Sequence, residues 1–100
     1  MDITVQELKQ RLDKGDHFMF IDVREPYEYE AFNLGAKLIP LGTIPEAIAG
    51  LSDIKNEEIV VHCRSGARSG NAAAYMQANG FTNVRNLTGG VLAWVDAFGK

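Results

Sequence analysis

The only cysteine of this 100-residue chain, Cys63, stands where the sequence favours a nucleophile. It opens a polar stretch, residues 64–70, whose glycines and serines allow a tight turn with several backbone N–H groups aimed at one spot. Arg64 and Arg68 add two permanent cations, and a helix predicted to begin near Arg68 adds the positive end of its dipole. Such surroundings lower the pKa of a cysteine from its free value of about 8.5 and populate the thiolate. The stretch therefore predicts a reactive cysteine in an anion-binding loop.

Two apolar runs are expected to position this loop. Ile59-Val60-Val61 precedes the cysteine, and Phe18-Met19-Phe20-Ile21 precedes the charged segment 22–25. Neither run alternates with polar residues, which is typical of parallel strands that are covered on both faces. Ligands of such sheets bind beyond the carboxyl ends of the strands, and both polar segments fall at such ends. Neighbours on a strand point to opposite faces, so we interpret His62 as structural rather than as a base for Cys63.

The segment from Cys63 to Arg68 resembles the active loop of the rhodanese-like sulfurtransferases. The resemblance implies that Cys63 accepts a sulfane sulfur as a persulfide and passes it to a second nucleophile. Ala31 to Ala36 departs from the usual Gly-His-Ile-Pro-Gly-Ala stretch of the family and keeps only its last Gly-Ala. The resemblance nevertheless spans the whole chain, because two further segments are similar to the family: Asp22-Val23-Arg24-Glu25, and Leu87-Thr88-Gly89-Gly90 followed by Ala93-Trp94.

A cysteine phosphatase loop is the nearest pattern that could be confused with this one. Protein tyrosine phosphatases, and the phosphatases that share the rhodanese fold, carry His-Cys-x5-Arg-Ser. In this chain His62-Cys63 and Arg68-Ser69 enclose four residues. A phosphoryl group needs a wider cradle for its three equatorial oxygens than a single extra sulfur does. The count therefore favours sulfur chemistry.

The local chemistry and the resemblance together suggest a role for each residue. Cys63 is the predicted catalytic residue. Arg64 is expected to be exposed and to hold the substrate anion or the persulfide, and Arg68 is expected to brace the loop. Asp22 and Arg24 are expected to support the site as a structural ion pair. The complete predicted substrate-binding loop consists of Arg64, Ser65, Gly66, Ala67, Arg68 and Ser69.

These roles predict a double displacement. The Cys63 thiolate attacks the outer sulfur of a small anionic donor such as thiosulfate, and cyanide or a thiol then takes the sulfur. One alternative is a persulfide relay or binding module for a protein partner, which would turn over small donors slowly and load one protein quickly. The other alternative is a cysteine phosphatase or arsenate reductase, which an aryl phosphate assay would detect.

Strand and helix patterns alternate along the chain and predict one rhodanese-like domain over residues 1–100. The fold class is α/β in three layers, with a central, mostly parallel sheet of about five strands and helices on both faces. Thr4 with Glu7 predicts a capping box for a first helix that stops near Gly15. The other predicted elements are an aromatic cover of the sheet edge (Tyr27, Tyr29, Phe32), a helix from an N-cap at Thr43 through Leu51, a helix over Ser69–Asn79 ended by Gly80, a strand over Phe81–Leu87, and a final helix with Val91, Trp94, Val95 and Phe98 on one face.

Composition limits the classes of partner. The formal net charge of −3 argues against non-specific binding of nucleic acid. With one cysteine and two histidines, the sequence predicts no internal disulfide, no metal site and no cofactor. The start Met1-Asp2-Ile3-Thr4 carries no apolar run, so we expect no signal peptide and no membrane partner. A cytoplasmic location follows as the default expectation.

Overall fold

Five parallel strands form one sheet at the centre of the computed structural model, which describes residues 2–100. The spatial order β1-β5-β4-β2-β3 makes β4 the middle strand. The register pairs Asp22 of β2 with His62 of β4, so the residues that follow these two strands leave the sheet side by side. The predicted parallel sheet is confirmed. The strands are β1 (Asp2–Ile3), β2 (Met19–Asp22), β3 (Lys37–Leu38), β4 (Ile59–His62) and β5 (Val84–Leu87).

Helices cover both faces of the sheet, and the predicted three-layer architecture is confirmed. The helices are α1 (Val5–Asp13), α2 (Pro26–Ala31), α3 (Ile44–Ala47), α4 (Ala67–Ala78) and α5 (Gly90–Phe98). One face is buried beneath α1 and α5, where Leu8 and Val60 form a cluster against which Trp94 packs. The other face is buried beneath α3 and α4, in a cluster that includes Val61 and Met76. Successive residues of β4 thus enter two different cores, which explains its uninterrupted apolar run.

Local sequence determines where α1 begins and ends and where α4 ends. The Thr4 hydroxyl accepts from the Glu7 N–H, and the Glu7 carboxylate accepts from the Thr4 N–H, both at 3.1 Å, so the predicted capping box is present. Gly15, with φ of +74°, carries the chain away from α1. Gly80, with φ of +95°, does the same just beyond α4, as the sequence predicts.

The segment between β3 and β4 differs from its prediction. The chain forms a 3₁₀ helix at Leu41–Thr43, then the short α3, then a second 3₁₀ helix at Ile48–Ile54, instead of one α-helix through Leu51. Thr43 does not cap α3 with its side chain, and its hydroxyl instead donates to the Pro40 carbonyl at 2.8 Å. This segment also contains glycine, serine and aspartate, which are weak α-helix formers.

The aromatic cover of the sheet edge is only partly as predicted. Tyr27 is 73% exposed and does not cover the sheet edge. Tyr29 is half-buried and donates to the Ala36 carbonyl at 2.6 Å, which closes the loop before β3. The last strand is also shorter than predicted, since Phe81 is buried in the core but precedes β5.

Helix α5 has two apolar faces rather than the single one predicted. Trp94 and Phe98 pack edge to face with ring centroids 4.8 Å apart, on the side of α1. Val91 and Val95 face a cavity near the end of β4 instead. Within residues 2–100, no helix combines the length and the apolar composition needed to cross a bilayer.

Helix α5 begins against the backbone that follows β4. The Val91 N–H donates to the Cys63 carbonyl and the Leu92 N–H donates to the Arg64 carbonyl, both at 3.0 Å. Gly90 makes this approach possible, because a Cβ at this position would overlap both of those carbonyl oxygens. Its φ of +56° also lies in the left-handed region that favours glycine.

Substituting Gly90→Ala should destabilise the protein by about 3 kcal/mol, because left-handed strain and a backbone clash each cost roughly 1–3 kcal/mol. Gly50→Ala is a matched control, since its φ is not in the left-handed region and a Cβ there meets nothing within 4 Å. Urea unfolding followed by circular dichroism measures both variants. Equal midpoints would show that the start of α5 tolerates a side chain.

Candidate active site

The sulfur of Cys63 lies directly after β4 among hydrogen-bond donors of the following loop. The Gly66 N–H donates to Sγ at 3.1 Å and the Ser69 N–H donates at 3.4 Å. The Ser69 hydroxyl oxygen lies 3.3 Å from Sγ. Cys63 is 1% exposed and Ser69 is fully buried. The donors therefore act on the sulfur at close range and with little solvent screening.

The sulfur serves as a capping acceptor for α4. Gly66 precedes this helix with φ of +104°, and no side-chain oxygen caps the helix start. Ala67 begins the helix, so the Ser69 N–H falls in its first turn, where N–H groups have no partner within the helix. That N–H points at Sγ, which therefore also experiences the positive end of the helix dipole.

These contacts favour the thiolate form of Cys63. Burial by itself raises the pKa of the thiol. Hydrogen bonds from the Ser69 hydroxyl and from the N–H groups of Ser69, Gly66 and Ser65 outweigh burial and lower the pKa below its ordinary value. The nucleophilic anion is therefore more populated near neutral pH than in a free cysteine. The sequence analysis predicted this effect from the loop N–H groups, the helix dipole and the two arginines together, and the hydrogen bonds on the sulfur come from neutral donors.

Arg68 is committed to an ion pair rather than free in the loop. Its guanidinium donates twice to the Glu28 carboxylate, at 2.8 and 2.9 Å. Hydrogen bonds from Arg68 lower the pKa of Glu28 to about 2, and those same bonds raise the pKa of Arg68. Both groups are thus charged at neutral pH, and each cancels much of the other's field. The pair joins the start of α4 to α2.

Asp22 and Arg24 form a buried ion pair just beyond β2. Arg24 Nη2 lies 2.9 Å from Asp22 Oδ2, and Asp22 Oδ1 accepts from the Arg24 N–H at 2.9 Å. Arg24 also donates to the Phe32 carbonyl, at the end of α2, at 2.7 Å. The pair therefore fixes α2, the helix that presents Glu28 to the loop. Within residues 2–100, neither Asp22 nor Arg24 forms a hydrogen bond with the sulfur.

His62 points to the opposite face of β4 from Cys63, as alternation along a strand requires. Its buried ring packs on Phe20 with centroids 5.2 Å apart, and its Nε2 lies 3.6 Å from Asp22 Oδ2. Burial is the largest effect on this group and lowers the pKa of His62 below its ordinary value. The ring is therefore neutral at pH 7, and its contacts are those of a structural residue.

Arg64 follows Cys63 directly in the chain and is the exposed arginine of the loop. It borders a cavity of about 430 Å³ with a mainly apolar wall that includes Phe32, Val91 and Val95. Of the other charged groups on the same wall, Arg24 and Glu28 are already paired, with Asp22 and Arg68 respectively, and Lys100 lies over the ring of Phe32. Within the described part of the chain, Arg64 has no ion-pair partner. It is thus positioned to attract an anion.

Sequence reasoning did not identify Glu28 and Asn86 as part of this site. Asn86 Nδ2 donates to the Gly66 carbonyl at 3.1 Å, and its Oδ1 accepts from the Ser69 hydroxyl. The sequence feature that could have identified Asn86 is its position as a polar residue near the carboxyl end of a buried strand, at the same edge of the sheet as the loop. Glu28 gave no such signal, because the segment contains several acids and nothing local distinguishes this one.

The fold is parallel α/β, and the cysteine lies at a helix start where the thiolate is favoured. A protein with this arrangement can carry a group on that cysteine. The family model described as the rhodanese-like domain matches residues 4–97. A sulfurtransferase from Allochromatium vinosum is 35% identical over 94 residues, which cover 93% of this chain and 86% of that protein. The chain belongs to the rhodanese-like sulfurtransferase family.

Two other proteins extend the comparison. The crystal structure of a rhodanese-like domain protein from Staphylococcus aureus has a TM-score of 0.82 and 36% identity, covering 94% of this chain and 91% of that one. The putative sulfur carrier protein YrkF of Bacillus subtilis is 36% identical over 93% of this chain, which spans 50% of that protein. Several further relatives are longer, and the chain spans only 24% to 28% of their length. The family and the fold expected from the sequence are confirmed.

Substituting Gly66→Ala should raise the pKa of the Cys63 thiol by about one unit, because a strained φ displaces an N–H that donates to the sulfur. Gly35→Ala is the matched control, since Gly35 has φ of +86° and a Cβ there meets nothing within 4 Å. Both variants should lose stability to backbone strain. Only Gly66→Ala should change the pH dependence of alkylation by iodoacetamide, and identical profiles would contradict the role of its N–H.

Substituting Glu28→Gln should destabilise the protein in a pH-dependent way. The pKa of Glu28 is lowered from 4.5 to about 2, so its ionised form stabilises the fold above pH 4.5, and this contribution is lost as the pH falls from 4.5 toward 2. We expect a loss of about 1 kcal/mol at neutral pH, a modest value because Arg68 is partly exposed.

Urea unfolding at a series of pH values measures this contribution. The difference between the native chain and Glu28→Gln should shrink below pH 4.5. Glu30→Gln, an exposed position on the same helix, should show little difference at any pH. A difference for Glu28→Gln that stays constant on acidification would exclude the Arg68 pair as its source.

Proposed function

We propose that this protein moves a sulfane sulfur from a small anionic donor such as thiosulfate to a thiophilic acceptor through a persulfide on Cys63. The observation that carries the proposal is the set of donors on Sγ, the N–H groups of Gly66 and Ser69 at 3.1 and 3.4 Å. These donors lower the pKa of the thiol and so favour the thiolate without a general base, and the adjacent imidazole of His62 faces the other side of the sheet. Sulfur transfer needs a thiolate and no base, which fits this arrangement.

In the first half-reaction, the Cys63 thiolate attacks the outer sulfur of thiosulfate. A bond forms between Sγ and that sulfur while the S–S bond of the donor breaks, and sulfite leaves with the bonding electron pair. Arg64 attracts the dianionic donor and stabilises the departing sulfite, because its charge is exposed and unpaired within the described residues. The loop N–H groups stabilise the negative charge of the persulfide.

In the second half-reaction, cyanide or a thiol attacks the outer sulfur of the persulfide. The bond between that sulfur and Sγ breaks, and its electron pair returns to Sγ as the thiolate. Cyanide leaves as thiocyanate; a thiol attacks as its thiolate, after its proton has gone to solvent, and leaves as its own persulfide anion. The cycle is complete with the two substrates alone.

The confined surroundings of Cys63 support a sulfur donor over an aryl phosphate. The residue is 1% exposed, and the loop encloses only four residues between Cys63 and Arg68. One added sulfur occupies less volume than a phosphoryl group with its three equatorial oxygens. In this proposal Ser65 and Ala67 shape the loop backbone around that sulfur.

A persulfide relay to a protein partner is the second candidate. Its support is the relative named a putative sulfur carrier protein, together with the apolar cavity of about 430 Å³ beside Arg64. That cavity could receive part of an acceptor larger than cyanide. In both candidates the chain acts as a single domain over residues 1–100 in a reducing cytoplasm, where the thiol stays free.

Intact mass spectrometry after brief exposure to thiosulfate tests the proposal. The native chain should gain one sulfur, and cyanide should remove it with release of thiocyanate, whereas Cys63→Ser should gain none. Arg64→Gln should need about tenfold more thiosulfate for half loading, because it loses the attraction between opposite charges. Lys14→Gln removes an equal charge from the turn after α1 and should load like the native chain.

The other outcomes separate the alternatives. A thiol that alkylates rapidly but gains no sulfur would exclude thiosulfate as the donor. Slow turnover of thiosulfate with fast transfer to one protein would favour the relay. Hydrolysis of an aryl phosphate that depends on Cys63 would overturn both sulfur hypotheses in favour of phosphatase chemistry.

A further inference from the structure

The side chain of Asn86 joins the two parts of the loop that surround the sulfur. It extends from β5, which pairs with β4 in the sheet. Its Nδ2 donates to the Gly66 carbonyl at 3.1 Å, and its Oδ1 lies 2.5 Å from Ser69 Oγ. Gly66 and Ser69 are the residues whose N–H groups donate to Sγ. One amide from a neighbouring strand therefore holds both of these residues without itself forming a hydrogen bond to the sulfur.

Donor and acceptor chemistry fixes the direction of each contact. The Gly66 carbonyl can only accept, so the Asn86 group that faces it must be the NH₂. The Asn86 oxygen then faces Ser69, and because it too can only accept, the Ser69 hydroxyl must be the donor. A hydroxyl has one proton, yet the same oxygen lies 3.3 Å from Cys63 Sγ. Asn86 and the thiolate therefore require the same proton.

We propose that Asn86 is a positioning residue that competes with the Cys63 sulfur for the single hydroxyl proton of Ser69. The inference rests on the proposed function only in taking Cys63 as the reacting residue. While the sulfur is a thiol, the hydroxyl donates to Asn86 and its oxygen can accept from S–H. When the sulfur ionises, the O–H bond rotates about Cβ–Oγ and donates to Sγ. No proton is transferred between residues in this rotation.

The competition limits how much Ser69 stabilises the thiolate. Ionisation gains a hydrogen bond to Sγ but loses the one to Asn86, so only the difference favours the anion. A thiolate that is stabilised less is intrinsically more nucleophilic once it forms. After sulfur transfer the negative charge moves to the outer sulfur, Sγ becomes uncharged, and the hydroxyl turns back to Asn86. The buried hydroxyl of Ser69 thus has an acceptor at every stage of the cycle.

The charged and titratable groups around Cys63 remain the same in the variants that test this proposal, so changes in the sulfur's ionisation can be attributed to the hydroxyl. Those groups are Arg64 in the loop, the Arg68–Glu28 pair from α4 and α2, the Asp22–Arg24 pair after β2, His62 on the opposite face of β4, and Tyr27 and Lys100 on the wall of the cavity beside Arg64.

A double-mutant cycle between Ser69 and Asn86 tests the competition. The pKa of the Cys63 thiol is read from the pH dependence of iodoacetamide alkylation with no sulfur donor present, so the result is independent of the proposed reaction. Ser69→Ala should raise this pKa by about 0.5 unit or less in the native chain. In the Asn86→Leu background Sγ is the remaining acceptor of the hydroxyl. There Ser69→Ala should raise the pKa of the Cys63 thiol by about one unit or more.

Equal shifts in the two backgrounds would give Asn86 a purely structural role and overturn the competition. A larger shift in the native chain would mean that Asn86 assists Ser69, and would overturn it as well. If Asn86→Leu fails to fold in urea titrations, Asn86→Ala completes the same cycle. Asn79→Ala is the matched control, since that amide donates to the Tyr75 carbonyl at 2.8 Å at the far end of α4 and should leave the thiol pKa unchanged.

Discussion

The first turns of two helices, α4 and α5, each donate a hydrogen bond to an atom of Cys63. The Cys63 sulfur accepts an N–H from the first turn of α4, and the Cys63 carbonyl accepts one from the first turn of α5. Such N–H groups have no partner within their own helix, and leaving one buried and unpaired costs about 1–3 kcal/mol. The fold and the reactive group therefore depend on the same atoms. The close approach of α5 that this requires also explains why only glycine fits at residue 90.

The charges around this point are arranged in pairs that leave the sulfur to neutral donors. Arg68 is neutralised by Glu28, and Arg24 is neutralised by Asp22. Both pairs hold α2 against the loop, so their contribution is geometric more than electrostatic. Arg64 alone among the arginines near the loop keeps an exposed charge without an ion-pair partner in the described residues. The site thus separates the groups that lower the pKa of the cysteine from the group positioned to attract an anion.

Sequence reasoning succeeded where the determining interactions are local. The apolar run before Cys63 and the glycines after it define a strand and a turn without help from elsewhere, and Thr4 caps a helix through a residue three positions away. It failed where the partner is distant in sequence. Arg68 was expected to brace the loop, but the sequence did not indicate Glu28, 40 positions away, as its partner, and Asn86 reaches the loop only because β5 pairs with β4. Periodicity along the chain contains no information about such contacts.

The hydrogen bonds to the sulfur link the ionisation of Cys63 to folding. Because its pKa is lower in the native chain than its ordinary value, the native state holds fewer protons than the unfolded state between those two pKa values. Stability therefore increases as the pH rises through that interval, and the gain is lost as the pH falls through the native pKa. Many active sites sacrifice stability for activity. Here folding shifts Cys63 toward its reactive anion, so selection for a populated nucleophile and selection for a stable domain act in the same direction.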